Sequence, residues 1–380
     1  MRRYFCYVAF FLFLSLTIAV GCAQQIDSAI TAAITSTYPS EKAQPTQKEP
    51  TDTPQPTQTP TYILSVEDII ATLPSQTAVP IENKSDPLSV TFPTPLPTDD
   101  LAWRPPLYEI PWAPGPHDHF YFYRPIAVNT VNWPLPNYRY GVTFFGPDIV
   151  HSGIDIAAPR GTPVLAAGAG RVVWAGTGLY FGIYNPNDPY GLSVVIEHDF
   201  GYEGSQLYTV YGHMDRIDVA LGDELDTHDP IGIVGDTGFT TGPHLHFEIR
   251  VGLNNFFQTR NPELWIAPPQ GWGILAGRIL NERNGPIEKL EVTVNSLDSR
   301  RTWRNYTYTM LGIKSDPYYQ ENFVIGDLPA GDYQVYFTFE DQNYVQVIEI
   351  NPGVVSFFQF QPNAGFTFTP PGDAHTFTAP

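Results

Sequence analysis

The sequence predicts a mainly β protein in which two folded β domains follow a non-globular N-terminal segment. From about Leu101 onward, short runs of β-branched and aromatic residues alternate with Gly, Pro, Asn and Asp, and no stretch shows the 3.6-residue period of an amphipathic helix. The chain has 380 residues, enough for two or three domains. Its 38 prolines are about twice the average share, which indicates that part of the chain lies outside any core.

Charge and cysteine content exclude several kinds of partner and site. The formal net charge is −19, which argues against nucleic-acid binding through phosphate neutralisation and against docking on anionic lipid. The only cysteines, Cys6 and Cys22, both lie near the N-terminus. The predicted domains therefore contain no disulfide and no cysteine metal site. A transition metal bound there must be held by His, Asp or Glu.

The N-terminus has the pattern of an export signal over residues 1–22. Two arginines precede an apolar run from Tyr4 to Val20, which is followed by Gly21-Cys22-Ala23. The segment Ala19-Val20-Gly21-Cys22 resembles a bacterial lipobox, which implies a lipid on Cys22 and a location on the outer face of the cell membrane or in the wall. An uncleaved membrane anchor and simple secretion are the alternatives.

Residues 23–100 are predicted to be a disordered stalk. Thr, Pro, Gln and Lys dominate the chain from Ser36 to about Thr61, and a similar tract recurs from Thr91 to Thr98. Such a composition cannot form a core and favours extended chain. We expect the stalk to carry no chemistry and to hold the folded part away from a membrane.

Residues 101–270 form the first predicted domain, and six of the nine histidines lie between positions 151 and 246. Asp155 lies between Ile154 and Ile156, four residues after His151. Because an unpaired buried carboxylate is costly, a nearby cation is expected to compensate it. Taken alone, this motif also fits a strand-edge aspartate that faces water. The predicted strands of this domain are Thr143–Phe145, Pro163–Ala166, Gly170–Ala175, Leu192–His198, Leu207–Tyr211, Pro230–Val234 and Leu245–Val251.

Two further stretches bring histidines to strands. In the segment from Thr240 to Arg250, strand alternation places His244, His246, Glu248 and Arg250 on one face, with Leu245, Phe247 and Ile249 on the other. His213 ends a third stretch, Tyr208 to Met214. Each motif alone also fits a solvated strand face. Together, however, two histidines and one carboxylate can form a catalytic zinc site with one open position.

These motifs occur together, in order, in one known family. The chain resembles the lysostaphin/LytM-type zinc metallopeptidases over about residues 147–265, and the resemblance implies an antiparallel β-sheet domain of the barrel-sandwich-hybrid kind. It also implies one Zn²⁺ per chain, bound by His151, Asp155 and His246, with His244 and His213 as catalytic histidines. The motifs that carry the resemblance are His151-Ser-Gly-Ile-Asp155, Gly161-Thr-Pro-Val164, Gly170-Arg-Val172, Tyr211-Gly-His213, Gly222-Asp223, Ile231-Gly-Ile-Val-Gly235-Asp-Thr-Gly238 and Thr241-Gly-Pro-His-Leu-His-Phe-Glu248.

The remaining histidines of this domain receive no catalytic role. His198 is predicted to be structural, because nothing in its spacing requires the site. His228 lies in a polar turn. His117 and His119 lie in a Pro- and Gly-rich stretch that precedes the matched region, and we predict a surface loop there.

A β-sandwich is predicted for residues 271–361, after a Pro/Gly hinge at Pro268–Gly271. Its turn signals recur at sandwich-like spacing, and the segments from Gly277 to Val294 and from Leu328 to Val335 resemble the carboxypeptidase-regulatory-like sandwiches. No ligand constellation is visible, so a spacer or stabilising module is favoured over wall or glycan binding. Residues 362–380, rich in Phe-Thr and Pro, are predicted to be a disordered tail.

The resemblance implies a cell-envelope zinc metalloendopeptidase that hydrolyses peptide bonds in peptidoglycan stems or cross-links with metal-activated water. The alternative is a non-catalytic relative that binds wall peptides or activates another hydrolase. We expect a monomer whose partners are peptidoglycan peptides and a membrane. A carrier of biotin or lipoate is excluded because residues 101–270 contain no lysine. The sequence leaves open which bond is cut, which histidine is the base, and whether residues 101–145 form a regulatory lid.

Overall fold

The antiparallel sheet that carries the predicted site lies in the first half of the folded chain. The computed structural model describes residues 105–126, 134, 136–143, 146 and 149–371. The predicted signal segment and stalk, residues 372–380 and parts of the 101–145 segment lie outside these residues. Among the described residues, no helix has the length and apolar character needed to cross a membrane.

Nine strands form the first sheet, and all their pairings are antiparallel. The main path runs β1-β8-β5-β4-β3-β6, while β2 pairs with β7, β7 with β5, and β9 with β8. This confirms the prediction of a mainly β, antiparallel domain. The strands are β1 (Ile154–Ala157), β2 (Pro163–Leu165), β3 (Gly170–Thr177), β4 (Leu192–Tyr202), β5 (Ser205–Ile217), β6 (Glu224–Leu225), β7 (Pro230–Val234), β8 (His244–Val251) and β9 (Thr259–Arg260).

Strand β8 is buried on both faces. Leu245, Phe247 and Ile249 on one face belong to the main hydrophobic core, as the alternation predicts. The opposite, polar face is buried as well. The side chains that a solvated strand would turn to water are therefore enclosed, and they need partners within the protein.

Eight further strands form the C-terminal sandwich. Its two four-stranded sheets have the orders β13-β10-β16-β17 and β12-β11-β14-β15, and β10 and β16 pair in parallel. Apolar and aromatic side chains from both sheets fill the space between them. The strands are β10 (Trp272–Ile279), β11 (Glu291–Ser296), β12 (Thr302–Tyr306), β13 (Phe323–Pro329), β14 (Gly331–Phe339), β15 (Gln342–Ile350), β16 (Val355–Gln361) and β17 (Gly365–Thr367).

The sandwich extends beyond its predicted end. Strand β17 lies within the segment 362–380, which we predicted to be disordered, and it pairs with β16 through Gln359 and Thr367, among others. The Phe366 ring, 5.0 Å from that of Phe360, packs against the sandwich core. The prediction was therefore wrong for these residues, because a three-residue edge strand has too short a pattern to be recognised locally.

The two β domains share a core instead of meeting at a free hinge. Ile274, Val324 and Phe357 of the sandwich belong to the same hydrophobic cluster as Ile154 and Phe247 of the first sheet. All described residues fall within one compact unit. Residues 268–271 are therefore a short connection between packed domains.

Candidate metal centre and active site

The pairing of β1 with β8 brings two predicted ligands together. In this antiparallel pair Asp155 lies directly opposite His246. Directly opposite residues of a sheet point to the same face. His151 precedes β1 by three residues, and its ring turns back over the same face.

The three predicted ligands meet at one point. Asp155 Oδ1 lies 2.9 Å from His151 Nε2 and 2.9 Å from His246 Nδ1, and these two nitrogens are 3.1 Å apart. The three residues form the one cluster of potential metal ligands found among the described residues. Two imidazoles and one carboxylate are a known donor set for catalytic zinc. The residues present therefore fit the metal that the sequence predicts.

Backbone carbonyl groups determine which nitrogen of each ring carries a proton. His151 Nδ1 lies 3.0 Å from Arg139 O, His213 Nδ1 lies 2.8 Å from Thr237 O, and His244 Nδ1 lies 2.7 Å from Gly242 O. A carbonyl oxygen can only accept, so each Nδ1 is the donor. In the neutral rings Nε2 is left with a lone pair, which can bind a metal or accept a proton.

The ring of His246 is oriented the other way round, with Nδ1 and not Nε2 turned toward the ligand cluster. Its Nε2 lies 3.1 Å from Glu248 Oε1, so its Nδ1 faces His151 and Asp155. Arg250 donates from Nε to Glu248 Oε2 over 2.8 Å, and Tyr190 donates its hydroxyl to Glu248 Oε1 over 2.6 Å. The carboxylate thus holds the ring as carboxylate–histidine pairs do in metal sites.

The two predicted catalytic histidines lie beside this cluster. The ring centroids of His213 and His244 are 4.7 Å apart, and that of His213 is 5.6 Å from that of His246. His244 Nε2 lies 3.4 Å from Asp155 Oδ2 and is buried without a hydrogen-bond partner. All five predicted site residues are therefore brought together.

A break in β5 brings His213 to the site. Up to Gly212 the strand pairs with β8, and from Met214 it pairs with β7. His213 stands between the two pairings with a φ of 61°, in the left-handed region that favours glycine. The strand changes its pairing partner at this residue. We expect the strand pairings on either side to stabilise the left-handed conformation of His213.

Burial and neighbouring charges set the protonation of the site. Burial lowers the pKa of His213 to about 3, with further lowering by His244 and His246. Burial raises the pKa of Asp155, but His151 and His244 outweigh it, and the pKa lies well below its usual value. Burial likewise opposes Arg250 and His246 at Glu248, whose pKa falls to about 2. The site therefore holds ionised carboxylates beside a neutral His213.

A surface cavity opens beside the ligand cluster. Asp155 and His244 line this cavity, and the rest of its lining is mostly apolar. Tyr138 stands at the rim, where its hydroxyl lies 3.5 Å from Thr241 Oγ1. The lining residues are Tyr138, Asp155, Ala157, Thr241, Gly242, Pro243 and His244.

Sequence reasoning missed several residues around the site. Tyr190, which bonds Glu248, lies in no recognisable spacing relative to the histidines, and Ser152, which also bonds Glu248, was given no role although it directly follows His151. Tyr138 at the cavity rim precedes every motif. Glu248 and Arg250 carried a usable signal, because strand alternation had already placed them on the face of His246.

The other histidines have structural surroundings. His198 is buried between Ala169 O, at 3.0 Å from Nδ1, and Thr209 Oγ1, at 2.8 Å from Nε2. His228 is exposed, with its ring 4.4 Å from that of Tyr123. The predicted surface loop at His119 was wrong: the side chain is 1% exposed and lies 3.5 Å from Asp316 of the C-terminal domain. Packing between domains buries it, which a local pattern cannot show.

Comparisons with known proteins were made for the whole chain. Residues 149–258 match the model of peptidase family M23. The matched segment contains β1 to β8 and the ligand cluster, so this part of the chain is similar to that family.

Individual relatives match part of the chain. The DD-carboxypeptidase/endopeptidase Mpg of Neisseria meningitidis serogroup B is 39% identical over 102 residues, which are 27% of this chain and 20% of that protein. The uncharacterised lipoprotein YgeR of Escherichia coli is 36% identical over 147 residues, 39% of this chain and 51% of that protein. The chain thus spans about half or less of these relatives.

One solved structure is similar to about a third of the chain. The catalytic domain of the antimicrobial peptidase lysostaphin from Staphylococcus simulans is 28% identical. The match covers 33% of this chain and 86% of that domain, with a TM-score of 0.29.

Proposed function

We propose that this chain is a cell-envelope zinc metalloendopeptidase that hydrolyses peptide bonds in peptidoglycan stems or cross-links. The observation that carries the proposal is the convergence of His151, Asp155 and His246 on one point at the wall of an open cavity, with His244 and His213 beside them. The M23 domain and the relative described as a DD-carboxypeptidase/endopeptidase support the substrate class.

His151, Asp155 and His246 would hold the metal through Nε2, a carboxylate oxygen and Nδ1. A zinc ion bound there supplies a Lewis acid that polarises the peptide carbonyl and makes water more acidic. Asp155 contributes the negative charge of the ligand set, and Glu248 keeps His246 turned toward it. The cavity beside Asp155 and His244 would receive the peptide.

His244 is the better placed general base. It lines the cavity, and its Nε2 carries the lone pair because Nδ1 donates to Gly242 O. It can take a proton from water at Nε2 and return it to the leaving amine.

Stabilisation of an oxyanion by His213 would need a proton at His213 Nε2. Because Nδ1 donates to Thr237 O and burial keeps the ring neutral, His213 presents a lone pair to the site in its resting form. We therefore propose that His213 acts as an oxyanion donor only after it has gained a proton.

The test is digestion of purified peptidoglycans by the full exported chain with added zinc, followed by mass spectrometry of the released muropeptides. His246→Ala should remove both zinc binding and hydrolysis, and His244→Ala should keep zinc while turnover collapses. His228→Ala is the matched control, since that ring is exposed and lies in a turn. If the wild-type protein binds zinc but releases no new amino groups from varied peptidoglycans, the non-catalytic alternative is correct.

We also propose that the protein is exported and anchored by a lipid on Cys22. Support comes from the N-terminal pattern and from the relative described as a lipoprotein. Cys22→Ala should move the protein from the membrane fraction to the soluble extracytoplasmic fraction. Retention of the variant in membranes would instead indicate an uncleaved anchor.

A further inference from the structure

We propose that the C-terminal sandwich is a positioning element of the metal centre, because it holds the backbone segment Arg139–Val142 that orients His151. The inference rests on the proposed metal site and assigns to the sandwich a role other than spacer or wall-binding module. It predicts that residues far from the ligands control metal affinity.

The first step is the attachment of His151 to the segment. His151 Nδ1 donates to Arg139 O over 3.0 Å. In the backbone, Gly141 N donates to His151 O and His151 N donates to Val142 O, each over 2.8 Å. His151 lies outside the strands, so these three hydrogen bonds determine where its ring stands.

The second step is the attachment of the segment to the sandwich domain. Thr309 N donates to Gly141 O over 2.7 Å. The Tyr140 hydroxyl accepts from Lys314 N over 3.1 Å and lies 3.0 Å from Lys314 O. Tyr140 is fully buried, so neither bond competes with water.

A buried ion pair adds a further connection. The Arg139 guanidinium bonds the Glu263 carboxylate, and Glu263 Oε2 also accepts from Gly326 N of β13 over 2.6 Å. Arg139 and Glu263 are 3% and 1% exposed. The residue whose carbonyl group orients His151 is thus tied through Glu263 to a sandwich strand.

Gly141 shows how closely the segment Arg139–Val142 packs against the sandwich domain. Its φ is +81°, and a Cβ built on it would lie 2.6 Å from the Tyr308 ring. A larger residue would therefore have to push the segment away from the sandwich, and the hydrogen bonds to His151 would move with it.

The shared core argues against a movable module. Tyr308 and Ile313, which flank these contacts, belong to the same hydrophobic cluster as the strands that carry Asp155 and His246. A spacer needs only a narrow junction, whereas this junction consists of buried hydrogen bonds, an ion pair and a continuous core.

The test compares two buried tyrosines in the full-length protein. Tyr140→Phe removes the hydroxyl that bonds the Lys314 backbone of the sandwich domain and that also lies 3.0 Å from Thr259 O of β9. Tyr211→Phe is the matched control, because its equally buried hydroxyl accepts from Ala167 N (2.8 Å) and Thr209 Oγ1 (3.0 Å), both within the first domain. Zinc affinity is measured by chelator competition, the visible spectrum of the Co²⁺-substituted protein reports ligand geometry, and thermal unfolding of the metal-free protein reports stability.

We expect both substitutions to lower the melting temperature of the metal-free protein by a similar amount. Only Tyr140→Phe should weaken zinc binding, by about tenfold, and alter the Co²⁺ spectrum. Gly141→Ala should have the same effects in stronger form. The Arg139→Lys variant keeps the positive charge opposite Glu263 and should therefore bind zinc more tightly than the Arg139→Gln variant.

Three results are distinguishable. Equal zinc affinity and Co²⁺ spectra in wild type, Tyr140→Phe and Gly141→Ala would overturn this inference and leave the sandwich as a stabilising module. Equal weakening in Tyr140→Phe and Tyr211→Phe would also overturn it, because the effect would then follow stability alone. A wild-type protein that binds no zinc would overturn the proposed function and this inference with it.

Discussion

The metal-centre face of β8 and the core of the sandwich are equally buried but are stabilised in different ways. On β8, four polar side chains point to one face, and they are enclosed together with Asp155 and His151. In the sandwich, the enclosed side chains are apolar, with a group of aromatic rings around Phe337, Phe358 and Phe360. The first region depends on satisfied hydrogen bonds and charges, the second on apolar area removed from water.

The comparison teaches that equal burial does not mean equal tolerance. Removing one polar group from this face of β8 should alter metal binding and catalysis and should leave only a small cavity. Removing one ring from the sandwich core should cost folding free energy and leave the ligands in place. The four predictions below separate these two kinds of effect, in order of expected size.

The largest effect is expected from a change of charge at the ligand cluster. Asp155→Asn keeps the shape of the side chain but removes the negative charge that faces His151 and His246. We expect zinc binding to be lost and peptide release to fall to the level of buffer alone. Asp226→Asn, in an exposed turn, is the control. Hydrolysis by the metal-free Asp155→Asn protein would contradict a metal-dependent mechanism.

In the sandwich the corresponding change is Phe358→Ala. This ring is fully buried against Phe323 and Phe366. We expect the free energy of unfolding to fall by about 3–5 kcal/mol, measured by urea denaturation. Zinc affinity of the folded protein should be unchanged. A fall in zinc affinity larger than in Tyr140→Phe would show that the sandwich core itself determines the geometry of the site.

His198 is a polar group within the first sheet that is buried in its neutral form, and it predicts a pH dependence. Burial lowers its pKa from 6.5 to about 4. As the pH falls below about 6.5, His198 takes up a proton in the unfolded chain before it does so in the folded protein. The contribution of neutral His198 to the free energy of unfolding is therefore fully present above pH 6.5 and is lost between pH 6.5 and 4. The loss from this residue is on the order of 3 kcal/mol.

Denaturant unfolding of the metal-free protein between pH 7 and pH 4 measures this loss. His198→Gln should show a shallower decline over the same range, whereas the exposed His228→Gln should follow the wild type. Parallel curves for wild type and His198→Gln would show that His198 is not held neutral by burial.

The smallest effect is expected at Glu248, which touches a ligand but does not belong to the cluster. Glu248→Gln keeps an acceptor near His246 Nε2 but removes the charge that Arg250 and Tyr190 stabilise. We expect zinc affinity to fall by about 10- to 100-fold, measured by chelator competition. Glu197→Gln on β4, half-buried and remote from the ligands, is the control. Unchanged affinity would mean that other contacts suffice to orient His246.

Local patterns predicted much of the first sheet, and the resemblance to the LytM-type metallopeptidases implied the set of proposed ligands. The prediction of Pro230–Val234 matches β7, and that of Leu245–Val251 differs from β8 by one residue. The short strands β6, β9 and β17 were missed, because two or three residues show too little alternation. The parallel pairing of β10 with β16 could not be predicted either, since the two strands are separated by most of the sandwich sequence.

The sequence by itself determined which side chains can form the site. Alternation along β8 places His244 and His246 on one face because successive residues of a strand point to opposite sides. Only the tertiary structure decided how these groups are oriented and enclosed. The ring of His151 takes its orientation from Arg139 O, and that segment is held by residues of the C-terminal domain. Hydrogen bonds between residues far apart in the chain depend on packing, and no local sequence pattern encodes packing.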